Sequence, residues 1–84
     1  MKYLVTWRPD ALSFLAHLWN NAPDRAAISA AADLIDDDLE RDPISAGESR
    51  EANFRVYIVS PLAVSFEVDA DRREVTVWSV WRIR

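Results

Sequence analysis

The sequence has 84 residues, of which 50% are hydrophobic, with four tryptophans and a single glycine. A chain of this kind can form one apolar core, and its content of large apolar residues argues against a disordered protein. The absence of cysteine excludes disulfide bonds and thiolate chemistry and favours a cytoplasmic protein over a secreted one. No stretch approaches the roughly 18 apolar residues of a membrane span, so no membrane partner is expected.

The formal net charge of −4 is unevenly distributed along the chain. Residues 24–51 carry nine acidic and three basic side chains, whereas residues 1–23 and residues 52–84 each have one base in excess. This balance argues against broad nucleic-acid binding but leaves room for a local basic site. The apolar run at the N-terminus is too short for a signal peptide, because charge follows it at Arg8.

The N-terminal part of the chain predicts a strand followed by a helix. Residues Lys2–Trp7 are rich in aromatic and β-branched types, as is typical of a strand. Pro9 suits the first turn of a helix. Apolar residues then recur at helical spacing, namely Leu12, Leu15, Ala16 and Trp19. We therefore predict a helix over Pro9–Asn20, with Trp7 and Trp19 in the core.

A second helix is predicted to begin at Pro23 or Asp24 and to end near Arg41 or Asp42, because Pro43 stops it. Its apolar stripe consists of Ile28, Ala31, Ala32, Ile35 and Leu39. The short link between the two helices predicts an antiparallel hairpin.

The acidic residues of the second helix fall largely outside this stripe; they are Asp33, Asp36, Asp37, Asp38 and Glu40. Successive residues of a helix point about 100° apart, so these carboxylates do not converge on a metal ion. They predict either a solvated face or a face that meets a basic partner. No cofactor and no metal ion are expected.

The C-terminal half predicts an antiparallel sheet. Residues 44–52 are polar and indicate a loop, with at most a short strand near Glu48–Arg50. Three segments with period-two alternation follow, namely Phe54–Val59, Leu62–Val68 and Val75–Arg82. Tight turns between them predict a three-stranded meander with the helices on one face and the other face open. The predicted fold class is α+β, with residues 1–84 forming a single domain.

This order of one strand, two helices and three strands resembles the RelE/ParE superfamily of toxins from type II toxin–antitoxin systems. Several segments carry the resemblance: the first strand running into Arg8–Ala11, Ala26–Leu39 followed by Asp42-Pro43, Phe54–Tyr57, and Val75–Arg82. In that family, RelE-like members cut messenger RNA on the ribosome, and ParE-like members poison DNA gyrase. An antitoxin encoded beside the toxin normally neutralises both.

The resemblance implies a toxin with a cognate antitoxin, which would bury part of the open sheet face and an apolar helix groove. It leaves two activities open. One is a ribosome-dependent mRNA endoribonuclease that inhibits translation. The other is a non-catalytic binding module, either directed at gyrase or inactive. The sequence has nothing after Arg84 to match the acid or base that RNA-cutting members often carry in a C-terminal segment, which favours binding.

For the ribonuclease, the resemblance implies Arg55 as a catalytic residue, with Arg82 and Arg50 as tentative additions, since arginine binds phosphate oxygens in pairs. Strict alternation predicts that Arg55 points away from the helices. There it either binds phosphate or is a solvated arginine paired with Glu67. The sole histidine, His17, is expected to lie at the surface or at its boundary, without a catalytic role.

The predicted binding residues are Tyr57, Arg84, Trp78 and Trp81. Tyr57 is either an ordinary sheet tyrosine or a contact to a partner or a base. Alternation places Trp78 and Trp81 on opposite faces of the last strand. One of them is therefore expected in the core and the other at an interface.

Overall fold

The computed structural model describes residues 2–83, which contain five strands and two helices. In chain order these are β1 (Leu4–Trp7), α1 (Pro9–Asn21), α2 (Arg25–Arg41), β2 (Glu48–Glu51), β3 (Phe54–Val59), β4 (Leu62–Asp69) and β5 (Glu74–Arg82). The predicted α+β class and every predicted helix and strand are confirmed, including the short strand in the loop after α2.

The five strands form one sheet in the order β1-β5-β4-β3-β2. Strands β2 to β5 are antiparallel neighbours, so the predicted meander is present with β2 added at its edge. Strand β1 lies at the other edge and runs parallel to β5, pairing Leu4 with Glu74 and Trp7 with Val77. The two helices carry the chain from β1 at this edge to β2 at the opposite edge, from which the meander returns to β5 beside β1. The sheet is therefore mixed, and β4 is its central strand.

Both helices pack on one side of the sheet, which we call the covered face; the other side is the open face. Helix α2 contributes Ile28, Ala31, Ile35 and Leu39 to the core, as its apolar stripe predicts. From the sheet, β4 and β5 contribute most of the buried residues, namely Leu62, Val64, Phe66, Val68, Val75, Val77 and Val80. The core thus lies between α2 and the two middle strands of the sheet.

Helix α1 contacts this core through a different stripe from the one predicted. Ala11 is buried and Leu15 and Leu18 are half-buried against the core, whereas Leu12 and Trp19 are 51% and 39% exposed. The prediction that Trp19 is a core residue is wrong. Apolar residues surround most of α1, so their spacing does not single out one buried face. Trp7 is half-buried against the core.

A β-bulge changes the faces of β5. Ser65 pairs with Ser79, but the next residue of β4, Phe66, pairs with Val77, which leaves Trp78 as the additional residue. A bulge shifts the alternation by one residue. As a result Trp78 and Trp81 lie together on the open face. The prediction that they lie on opposite faces is wrong, because strict period-two alternation does not anticipate a bulge.

The faces of β3 are also the reverse of those predicted. Tyr57 and Val59 pack against the core, and Arg55 lies on the same, covered side. Ile58 is 56% exposed on the open face. One alternating set of β3 is Phe54, Val56 and Ile58, and the other contains Tyr57 and Val59 beside Arg55, so both sets offer apolar side chains for burial. Arg55 therefore does not point away from the helices, and its predicted pairing with Glu67 is wrong.

Candidate functional site

Arg55 is held by backbone carbonyls on the covered face. Its Nη2 donates to the carbonyl of Gly47 over 3.1 Å and its Nε donates to that of Ala46 over 3.5 Å. Gly47 has a φ of +74°, and a Cβ added there would collide with the carbonyl of Val56. The glycine lets the loop approach β3 closely, and the Arg55 guanidinium then fixes that loop against the sheet.

Arg82 forms a bidentate ion pair at the other end of the sheet. Its Nη1 and Nη2 donate to the two carboxylate oxygens of Asp24, each over 2.9 Å. Asp24 immediately precedes α2, so the pair connects the end of β5 to the start of that helix. The hydrogen bond from Arg82 lowers the pKa of Asp24, and the same bond raises the pKa of Arg82. Arg82 thus already has a carboxylate partner.

The predicted catalytic arginines are not brought together. Arg55 lies opposite Phe66 and Arg82 opposite Leu62, four residues apart on β4, which is about 13 Å along the strand. Arg50 lies on the edge strand β2, where it pairs with Glu48 over 3.1 Å. Arg84 lies outside the described residues.

Tyr57 connects β3 to α2. Its hydroxyl donates a 2.5 Å hydrogen bond to the carboxylate of Asp38, which also accepts a 2.7 Å bond from Arg41. The bond to Asp38 raises the pKa of Tyr57 and keeps the phenol protonated. The predicted binding residue Tyr57 thus lies on the covered face, and its hydroxyl already has a partner there.

A cleft of about 510 Å³ lies at the end of the sheet beside Arg55. Its lining includes the four carboxylates of Glu67, Asp69, Asp71 and Glu74. This excess of negative charge disfavours a phosphate next to Arg55. Within residues 2–83, no group of three or more acidic or histidine side chains is arranged to hold a metal ion.

The open face carries an aromatic cluster formed by Arg8, Phe54, Glu67 and Trp78. The Trp78 indole N–H donates to Glu67 over 3.3 Å, and the Arg8 guanidinium lies 4.2 Å from the centre of the Trp78 ring. The ring centres of Phe54 and Trp78 are 5.9 Å apart. Neither Arg8 nor Phe54 was predicted to belong to a binding surface. They become neighbours of Trp78 only through the parallel β1–β5 pairing and the bulge.

An apolar groove of about 440 Å³ runs between the two helices on the side away from the sheet. We call it the helix groove; its lining includes Leu12, Leu15, Ala16, Trp19, Ile28, Ala32 and Asp33. The Trp19 indole N–H donates to the hydroxyl of Ser29 over 3.0 Å, which fixes the ring at the groove wall. Leu12, Ala16 and Trp19, which the helical spacing predicted to face the core, line this groove instead.

Neither described helix is long and apolar enough to cross a bilayer.

Solved structures of toxins share this fold over nearly the whole chain. A chain of the RelBE2 toxin–antitoxin complex from Mycobacterium tuberculosis is 20% identical, with a TM-score of 0.77 over 98% of this chain and 99% of that chain. The isolated RelE toxin of E. coli is 18% identical, with a TM-score of 0.69 over 98% and 85% of the two chains. A chain of the chromosomal ParDE system of P. aeruginosa is 16% identical, with a TM-score of 0.71 over 98% of this chain and 97% of that chain.

The sequence itself matches no protein-family model and no curated protein. The structural likeness therefore establishes the architecture: the chain has the RelE/ParE toxin fold, as its order of elements predicts.

Proposed function

We propose that this chain is the toxin-fold component of a type II toxin–antitoxin module, and that it acts by binding a protein partner rather than by cutting RNA. The fold shared with RelE and ParE toxins supports the first part. The second part is supported by one observation above all. The arginines of the sheet are separated and engaged within the chain, Arg82 by Asp24 and Arg50 by Glu48.

Cleavage of RNA needs several groups around one phosphate: one that activates the 2′-hydroxyl, one that stabilises the added charge and one that protonates the leaving oxygen. Here Arg55 and Arg82 are about 13 Å apart along β4, and acidic side chains surround the cleft beside Arg55. Tyr57, which could otherwise transfer a proton, is bound to Asp38. This arrangement suits a structural role for all three side chains.

The helix groove is the surface that we assign to the antitoxin. Leu12 is 51% exposed there, and the groove walls are mainly apolar. An amphipathic helix buries its apolar face in such a groove through residues spaced three or four apart. Asp33 lies at the rim, so a basic residue beside the apolar stripe of the partner helix would complete the contact.

Co-expression with the protein encoded beside this chain tests the proposal. We expect the two proteins to co-purify and Leu12→Asp to weaken the complex by at least about tenfold, because a buried carboxylate has no partner in the groove. Leu34→Asp is the matched control, since Leu34 is also an exposed leucine of the helical layer but does not line the groove. Absence of any complex, or equal loss with both variants, would contradict the proposed site.

Expression of the chain alone separates the possible activities. A binding toxin, for example one directed at gyrase as ParE-like proteins are, slows growth without cutting messages. A ribosome-dependent ribonuclease cuts messages, and Arg55→Ala abolishes the cuts. Normal growth together with no neighbour-encoded partner would remove the toxin hypothesis altogether. The expected site of action is the cytoplasm.

A further inference from the structure

The open face is apolar at one end of the sheet. There Ala63 of β4 pairs with Ile58 of β3 and with Trp81 of β5, and the latter two side chains are 56% and 37% exposed. A continuous row of exposed apolar side chains marks an interaction site on a soluble protein. The Trp81 indole N–H has no hydrogen-bond acceptor among the described residues, so it can donate to another molecule.

The open face is acidic at the other end, where the cleft beside Arg55 opens onto it. The lining of the cleft includes three carboxylates of β4 and β5 on this face, those of Glu67, Asp69 and Glu74. Arg55 is the one cation among the described lining residues, and backbone carbonyls already accept two of its N–H groups. Arg72 approaches Asp69 to 4.0 Å, but Glu74 pairs with no cation in the described chain. The cleft thus retains negative charge that the chain does not neutralise.

The aromatic cluster connects the apolar end to the acidic end. Glu67 lines the cleft and also accepts the hydrogen bond from the Trp78 indole. Along β4, Ala63 is four residues from Glu67 and six residues from Asp69, which is about 13 Å and about 20 Å. One short polypeptide segment that lies along β4 therefore reaches both ends.

The charge of this face decides which partner fits it. Burial of a carboxylate against a neutral surface is costly when no partner compensates it. The cleft repels a polyanion such as RNA, and a second copy of the chain would bring the same carboxylates to it. Arg8 does not line the cleft, because it lies on the ring of Trp78. A lysine or arginine side chain supplies both the missing positive charge and N–H donors for the carboxylates.

We propose that the open face and the cleft together bind a basic amphipathic segment of a protein partner. Apolar side chains of the segment pack on Ile58 and Trp81. A lysine or arginine about 13–20 Å further along the segment enters the cleft beside Glu67 and Glu74. This surface is separate from the helix groove, and the inference does not depend on the proposed toxin function.

Selection from a random peptide library displayed on phage, with the wild-type chain as bait, tests this surface. Peptides of about 16 residues span about 20 Å either as a helix or as a strand. Clones that need the helix groove are set aside by keeping those whose binding survives Leu12→Asp. We expect the kept peptides to carry apolar residues in one half and lysine or arginine in the other. Recovery of no such clone, or of neutral or acidic peptides only, overturns the proposal.

Fluorescence anisotropy with a synthetic copy of a kept peptide locates the site. Ile58→Asp should weaken binding at least about tenfold, because it places a carboxylate under the apolar half of the peptide. Glu67→Gln combined with Glu74→Gln should also weaken binding about tenfold and reduce its dependence on salt. Asp37→Asn, at an exposed carboxylate of α2, is the matched control and should change neither. Circular dichroism checks that each variant is folded.

A single-stranded RNA of the same length is the competing ligand. We expect its dissociation constant to exceed about 100 µM, because the cleft repels phosphate. RNA that binds and is displaced by the peptide contradicts the proposal. So does peptide binding that is unchanged in the double glutamine variant, or a chain that self-associates through Ile58 and binds no peptide.

Discussion

The two faces of the sheet use polar side chains in opposite ways. On the covered face, Tyr57, Arg55 and Arg82 each bond to another part of the same chain, and they connect the sheet to α2 and to the loop that follows it. On the open face, Arg8 rests on the ring of Trp78, and the indole of Trp81 has no acceptor within the described chain. One face holds the fold together, and the other leaves such groups exposed.

This difference bears directly on function. The residues that the family resemblance suggested for catalysis lie mainly on the covered side, where their hydrogen bonds serve the fold. The exposed aromatic residues lie on the open side, where no cluster of basic groups accompanies them among the described residues. A face of this composition suits protein association better than phosphate chemistry.

The largest effect that distinguishes the two faces is expected from a pair of isoleucines. Ile35 of α2 is fully buried against the covered face, whereas Ile58 of β3 is 56% exposed on the open face. Ile35→Ala should lower the free energy of unfolding by about 3 kcal/mol, and Ile58→Ala by less than about 1 kcal/mol. Urea unfolding at a concentration where the chain is monomeric measures both. Equal losses would contradict the assignment of the faces.

A smaller effect is expected at the loop that Arg55 fixes. Gly47→Ala should lower the free energy of unfolding by about 2 kcal/mol, because the residue has positive φ and a Cβ there would strike the carbonyl of Val56. Ala52 also has a positive φ, of 51°, but lies in an exposed turn. Ala52→Gly should therefore stabilise the chain, by up to about 1 kcal/mol. Thermal unfolding of both variants shows the signs; destabilisation by Ala52→Gly would refute the strain argument.

Removal of the Tyr57 hydroxyl should have a still smaller effect. Tyr57→Phe removes the hydrogen bond to Asp38 and should lower the free energy of unfolding by about 1 kcal/mol at neutral pH. The pKa of Tyr57 is raised in the folded chain, so its contribution is complete below the ordinary tyrosine value of about 10 and is lost as the pH rises through the raised pKa. Guanidinium unfolding from pH 8 to 11 should show the two proteins converging at high pH. A constant difference would exclude this bond as the cause.

The smallest effect is expected at the Arg82–Asp24 pair, which is exposed to solvent. The pKa of Asp24 is lowered, so the contribution of the pair is present above the ordinary aspartate value of about 3.9 and is lost as the pH falls through the lowered pKa. Asp24→Asn should flatten the acid limb of the stability curve slightly. Asp71→Asn, at a residue that pairs with no cation in the described chain, should not change it.

Much of the fold could be predicted from the sequence, because the apolar stripe of α2 and the alternation in β4 and β5 each favour one structure. The face of each element on which a given side chain lies could not be predicted. The bulge at Trp78 shifts β5 by one residue, and no local pattern marks it. In β3 both alternating sets contain apolar residues, and the set without a charge, Phe54, Val56 and Ile58, was taken as the buried one, so Arg55 was assigned to the wrong face. Leu12 and Trp19 lie on a helix that is apolar around most of its surface, so the groove they form was mistaken for core.

The residues that come together in a site depend on the face of the sheet that each strand residue occupies. The candidate site was therefore less predictable than the fold. The family resemblance suggested Arg55 and Arg82, and Arg50 was a tentative addition because it precedes β3, but register and pairing separate the three in space. Trp78 and Trp81 were predicted as interface candidates one at a time. Only the bulge shows that they share one face with Arg8 and Phe54.

The most direct test of the central claim is a primer-extension assay on ribosomes programmed with messenger RNA, in which the purified chain is compared with an active RelE-like ribonuclease. If the chain binds a partner and does not cut RNA, its transcripts stay full-length while those of the control enzyme are cleaved. Cuts that appear with the wild-type chain and disappear with Arg55→Ala would contradict the account and make Arg55 a catalytic residue.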